Sequence, residues 1–79
     1  MANLYLVEQG AVLHKSGDRL IVTKDDKTLL EVPCHQIDAV LIFGNVHLTT
    51  PAVRELAEHG IEMALFTRRG KLLCQLIGA

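Results

Sequence analysis

The chain has 79 residues, 49% hydrophobic and 22% charged, with eight basic against nine acidic side chains and a net charge of −1. That length suits one small domain burying only about 60–65% of the surface its unfolded form exposes, and the near balance of charge excludes capture of nucleic acid by the overall field. No apolar run reaches the roughly 20 residues of a membrane-spanning helix, and Met1-Ala2-Asn3-Leu4 lacks the parts of a secretion signal, so the expected compartment is the cytoplasm.

Leu4-Tyr5-Leu6-Val7 reads as a first strand, and Gly10 breaks it before a second extended run, Ala11-Val12-Leu13-His14-Lys15. Ser16-Gly17-Asp18 supplies turn chemistry ahead of Arg19-Leu20-Ile21-Val22-Thr23, and Asp25-Asp26-Lys27 turns that strand into Thr28-Leu29-Leu30-Glu31-Val32. Gaps this short predict an antiparallel meander of all four pieces. Pro33 has no amide hydrogen to give and ends the ladder. Beyond Cys34-His35-Gln36, the run Ala39-Val40-Leu41-Ile42-Phe43 is apolar at every position, which predicts a strand covered on both faces.

Thr50 before Pro51 predicts a helix start, with the Thr hydroxyl capping and proline in the first turn, where its missing donor costs nothing. Val53, Leu56 and Ala57 share one face of that helix, Arg54, Glu55 and Glu58 point elsewhere, and Gly60 stops it. Ile61-Glu62-Met63-Ala64-Leu65-Phe66 resumes strand character. Arg68-Arg69-Gly70-Lys71 makes a basic turn, and Leu72-Leu73-Cys74-Gln75-Leu76-Ile77 pairs back as the last strand. The expected fold is therefore α+β and β-dominated: small antiparallel sheets of six to seven strands, packed like a sandwich, with one short helix.

Few groups suggest chemistry. Glu55, Glu58 and His59 could form a metal or acid/base group, but a zinc-peptidase helix needs a second His where Glu55 stands. The simpler reading is a solvated helix face with Arg54 paired to Glu58. Asp25 and Asp26 describe an ordinary turn. His14, His35, His47 and His59 reproduce no ligand spacing with Cys34 or Cys74, so no zinc site and no cofactor is expected in this chain. Both cysteines read as reduced core residues, Cys74 inert among Leu72, Leu73, Leu76 and Ile77, although spacing alone leaves a disulfide open. Ser16, the only serine, lies in a turn, and the six glycines form no phosphate-cradling loop.

Arg68, Arg69 and Lys71 are the densest positive cluster and the candidate for DNA contact, with a solubilising turn as the plainer alternative. Tyr5, Phe43 and Phe66 fall inside strands away from it, which leaves it no stacking platform. Ile21 and Leu29 would both be apolar on the outside of the meander, a seed for contact between two copies. The apolar excess for so small a domain also argues that some surface faces another copy or a further part of the protein.

The order of these pieces resembles one family. The opening strand Leu4 to Val7, the hairpins through Val32-Pro33, the strand into Phe43-Gly44-Asn45-Val46, the helix start Thr49-Thr50-Pro51-Ala52, Leu56 with Gly60-Ile61, and the basic hairpin Arg69-Gly70-Lys71-Leu72 are together similar to the amino-terminal β-rich domain of the CRISPR-associated endonuclease/integrase of spacer acquisition. The resemblance implies that residues 1–79 are a dimerisation and scaffold domain, with a homodimer, DNA, and a small ferredoxin-like adaptation protein as partners. It also implies a parent enzyme whose Mg or Mn ion is held by a Glu, a His and an Asp of a helical domain. No position here corresponds to those three, so the chain is expected to end short of the catalytic domain and to be inactive alone. The alternative is a stand-alone β-rich dimerisation or nucleic-acid-binding module unrelated to CRISPR.

Overall fold

Two turns show how sequence directs the path. Asp25 and Asp26 both take positive φ (52° and 63°), and Lys24 pairs with Lys27 across them, so the two aspartates form the whole hairpin loop with the twist that suits antiparallel strands. At the helix end, Gly60 has φ of 65°; its N–H reaches the Ala57 carbonyl at 3.2 Å, and that of Ile61 reaches the Leu56 carbonyl at 2.8 Å. This double closure satisfies the last carbonyls and seats Ile61 and Leu56 together in the core.

The computed structural model describes residues 2–76. Its strands are β1 (Ala2–Leu6), β2 (Val12–Ser16), β3 (Arg19–Lys24), β4 (Lys27–Pro33), β5 (Ile37–Phe43), β6 (His47–Leu48), β7 (Glu62–Phe66) and β8 (Leu72–Leu76), with a 3-10 turn at Cys34–Gln36 and helix α1 at Thr50–Glu58. They form two four-stranded sheets, β1-β5-β7-β8 and β4-β3-β2-β6. The β-dominated α+β class with one α-helix is as expected. Among the described residues the strand count is eight, because His47–Leu48 adds a short parallel partner to β2.

The sheets are mixed rather than antiparallel. Residues of β2, β3 and β4 make the expected meander, but β1 leaves it and runs parallel to β5, which runs parallel to β7. The cause is β5 itself. A strand without a polar face gains most from a central position with a neighbour on each edge, and β1 and β7 supply them.

Leu4 and Leu6 of β1, Val40 and Ile42 of β5, Met63 of β7, Leu13 of β2, and Leu20 and Val22 of β3 meet between the sheets. Ala52 and Leu56 of α1 join the same core. The second face of β5 is not buried to the same depth: Ala39, Leu41 and Phe43 remain half-exposed, so the expectation of cover on both faces holds for one. Among the described residues, no helix is long and apolar enough to cross a membrane.

The helix begins one residue earlier than expected. Thr49, not Thr50, is the cap, its Oγ1 accepting from the Ala52 N–H at 3.3 Å, and Pro51 lies in the first turn. The buried positions are Ala52, Glu55 and Leu56, with Ala57 exposed. That rotation of the apolar stripe turns Glu55 inward.

Candidate functional site

The basic hairpin between β7 and β8 is a tightly bonded loop. Thr67 donates its N–H to the Lys71 carbonyl (2.8 Å) and accepts from Gly70 N–H on its own carbonyl (2.9 Å), while its Oγ1 accepts from Lys71 N–H (3.0 Å). Gly70 takes φ of 96°, the left-handed residue that such a three-residue loop requires. Arg68, Arg69 and Lys71 are all exposed, as expected for groups available to phosphate.

The aromatic side chains are closer to this hairpin than their places in the sequence suggest. Leu4, Leu6, Ile42 and Met63 point into the core, so Tyr5, Phe43 and Phe66 fall on the opposite face of their sheet. Register then aligns them: Phe43 pairs directly with Phe66, and Tyr5 pairs with Leu41, diagonal to Phe43. Ring centroids are 4.7 Å apart for Phe43 and Phe66 and 6.5 Å for Tyr5 and Phe43, with interplanar angles of 12° and 15°. Tyr5 and Phe43 line an open cleft of about 410 Å3 together with Val7, Gln9 and Arg68. The expectation that no aromatic stands near the basic cluster is therefore corrected.

Gln9, which sequence reasoning passed over, locks this corner. Its Nε2 donates to the carbonyls of Phe43 (2.8 Å) and Val7 (3.1 Å), and its Oε1 accepts from Asn45 N–H (2.7 Å). The amide lies against Gly44, whose φ is 82°; a β-carbon there would also collide with Cγ of Arg68. A Gly-Asn pair after an apolar strand is the one signal in the sequence that such a tie is needed.

A second cluster lies at the seam of α1, β2 and the 3-10 turn. Glu55 is 7% exposed, and its Oε1 stands 3.2 Å from Nζ of Lys15 while Oε2 stands 2.8 Å from Nε2 of His59. Burial pushes the Glu55 carboxyl up, but the hydrogen bonds and charges of Lys15 and His59 outweigh it and hold the group below the ordinary carboxylate range. Cys34, 2% exposed, faces the same carboxylate, and burial first, then Glu55 and Asp18, raise its thiol against the opposing charge of Lys15. The ligand atoms of Cys34, Glu55 and His59 all lie within 4.8 Å of one another. Two expectations are corrected here. Glu55 is not on a solvated face, and no ion pair joins Arg54 to Glu58 among the described residues. Sequence spacing links no histidine to a cysteine, yet the fold brings His59 beside Cys34.

The remaining candidates lie apart from both clusters. Glu58 is exposed, and Asp25 and Asp26 form the β3–β4 loop. Cys74 is exposed rather than buried, because β8 is an edge strand exposed along its length, and it is not bonded to Cys34. Ile77 lies outside the described residues. Ile21 is half-buried opposite Glu31, while Leu29 falls at the bulge where β3 and β4 change register. Leu29 lines a small apolar cleft with Tyr5, Val7, Val22 and Leu30, in which Ile21 takes no part.

The family model described as CRISPR associated protein Cas1 matches residues 4–79. A CRISPR-associated endonuclease Cas1 of Chlorobaculum tepidum is 27% identical over 75 residues, covering 95% of this chain and 22% of that protein. One of Thermus thermophilus is 32% identical over 69 residues, covering 87% of this chain and again 22% of the relative. The fold superposes on a chain of a partial Cas6-RT-Cas1–Cas2 complex with a TM-score of 0.92 at 29% identity, over 99% of this chain and 24% of the other. The chain thus spans about a fifth of the length of the curated relatives it matches.

Proposed function

Because the chain belongs to the Cas1 family of CRISPR-associated proteins, we propose that it is the amino-terminal association domain of a metal-dependent DNA endonuclease/integrase that acquires spacers in prokaryotic antiviral defence. The observation that carries this reading is the family match along nearly the whole chain, joined to a fold that superposes over 99% of its residues. The domain works in the cytoplasm, as part of a homodimer, together with DNA and a small ferredoxin-like partner protein.

An association role fits the surface. Tyr5, Val7, Leu29, Leu72, Leu73 and Leu76 are large apolar side chains left exposed, three of them on the edge strand β8. Apolar area of that kind on so small a domain supports a partner surface. Leu29 contributes to it within the cleft beside Tyr5, and Ile21 offers a second, separate contact. Arg68, Arg69 and Lys71 supply the phosphate contacts, positioned by the hairpin and not by overall charge.

The Mg or Mn ion of the parent enzyme does not belong to this chain. Such ions favour oxygen ligands, and in the parent family two carboxylates stand beside the one histidine. Among the described residues, the one group of three ligating side chains brings a single carboxylate with a thiol and an imidazole. The isolated chain has no nuclease activity. Incubation with linear and branched DNA plus Mg or Mn tests this: uncut DNA is expected, and metal-dependent cleavage by the purified chain would refute it. Sedimentation of Leu29→Asp and Ile21→Asp tests the dimer, each being expected to shift the protein towards monomer.

A further inference from the structure

We propose that Cys34, Glu55 and His59 form a binding site for one zinc-class divalent ion, separate from any DNA-cutting chemistry. The 3-10 turn and the helix bring a sulfur, an oxygen and a nitrogen to one point, all within 4.8 Å of each other. Glu55 lies on the buried side of α1, His59 follows four residues later as the cap at the helix C-terminus, and Cys34 opens the 3-10 turn after β4. Zinc binds Cys S⁻ at about 2.3 Å and His N or carboxylate O at about 2.0–2.2 Å in tetrahedral geometry, which separates ligand atoms by roughly 3.3–3.8 Å. Side-chain shifts of about 1 Å bring the three donors to that spacing.

The donor types select the ion. A thiolate beside an imidazole is a poor host for Mg or Mn and a good one for Zn or Co. Buried Cys34 and Glu55 form the floor, while the His59 side chain is 42% exposed and leaves an approach from solvent and a fourth position for water. Charge also fits. With Cys34 ionised, two negative ligands face the ion, and Asp18 adds a third charge near the sulfur. Lys15 opposes them, but it engages Oε1 of Glu55 and leaves Oε2 as the coordinating atom. The ion displaces the thiol proton to solvent. His59 coordinates through the lone pair of Nε2, with its proton on Nδ1, in place of the bond it now makes to Glu55. An ion-pair network alone accounts for Lys15, Glu55 and His59 but gives no reason for a thiol at the same carboxylate.

The test uses the purified, metal-stripped protein and needs neither DNA nor a partner. Titration with Co2+ should give one equivalent bound, with a thiolate-to-cobalt charge-transfer band and tetrahedral visible absorption, both displaced by Zn2+ and unaffected by Mg2+. Cys34→Ser should abolish the charge-transfer band. His59→Ala, a change at an exposed side chain that leaves the core intact, should weaken Zn2+ binding by more than about 100-fold, beyond the 10–100-fold that loss of an outer partner costs. Cys74→Ser should change neither. Absence of the band in the unaltered protein, its survival in Cys34→Ser, its loss in Cys74→Ser, or unchanged affinity in His59→Ala overturns the assignment. None of these results depends on a role in spacer acquisition.

Discussion

Replacing Gly44 by alanine is the sharpest probe of the corner that holds the basic hairpin against the aromatic cleft. The backbone there has φ of 82°, and a residue with a β-carbon in the left-handed region costs roughly 1–2 kcal/mol. The new methyl would also meet the Gln9 amide and Cγ of Arg68 closer than real β-carbons approach anything. Arg68 can swing away at small cost. Gln9 cannot, because moving it strains bonds to Phe43, Val7 and Asn45, each worth about 0.5–1.5 kcal/mol net. The expected loss is therefore about 2–5 kcal/mol, against a total stability of roughly 4–12 kcal/mol for a domain of this length. A domain of this size loses about 4–8 °C of melting temperature per kcal/mol, so thermal unfolding resolves the effect easily. The double variant isolates the cause. With Gln9→Ala already present the collision with the amide is gone and Arg68, still in the way, swings aside at small cost, so Gly44→Ala should then cost little beyond the roughly 1–2 kcal/mol of backbone strain. Urea unfolding of the four proteins measures both quantities; a single-variant loss under about 1 kcal/mol, or strict additivity, refutes the reasoning.

The other predictions concern charge and turns. Asp26→Gly should raise stability by roughly 0.5–1 kcal/mol, since Asp26 holds φ of 63° without need of its side chain, and a lower denaturation midpoint would count against that. Glu55 is held below its ordinary value of 4.5, so it adds stability above that pH, and the contribution is lost as pH falls through the lower folded value. Lys15→Met should flatten this acid limb in midpoints measured across the acid range, and an unchanged limb would remove Lys15 from the account. Replacing Arg68, Arg69 and Lys71 by alanine should reduce the dependence of log affinity for duplex DNA on log salt by about 0.9 for each phosphate no longer neutralised. An unaltered slope would assign the hairpin to solubility alone.

Local chemistry announced the pieces whose partners lie nearby in sequence. The Asp25-Asp26 loop, Gly60 at the helix end and the Thr67–Lys71 hairpin each involve atoms a few residues apart, and each formed where propensity placed it. The parallel pairings were less visible because β1 joins β5 across some thirty intervening residues, and short gaps argue only for the cheapest connection. What marked β5 as central was its lack of a polar face. What the pattern could not say was that the second face would stay half-open.

The sites were harder to read than the fold for a related reason. A polar residue on an apolar stripe is ordinarily assigned outward, and Val53, Leu56 and Ala57 make a plausible stripe that leaves Glu55 in water. The alternative stripe Ala52, Glu55, Leu56 becomes favourable only once Lys15 of β2 is known to meet the carboxylate, because a carboxylate turned inward without a partner is penalised by its lost hydration. The same holds for the aromatic row. Alternation around Leu4, Leu6 and Ile42 sends Tyr5 and Phe43 outward, but only strand register makes them neighbours of Phe66 and brings Arg68 to the cleft. Both sites therefore arise from pairings between distant segments. Disturbing register should dismantle them while leaving each local turn intact.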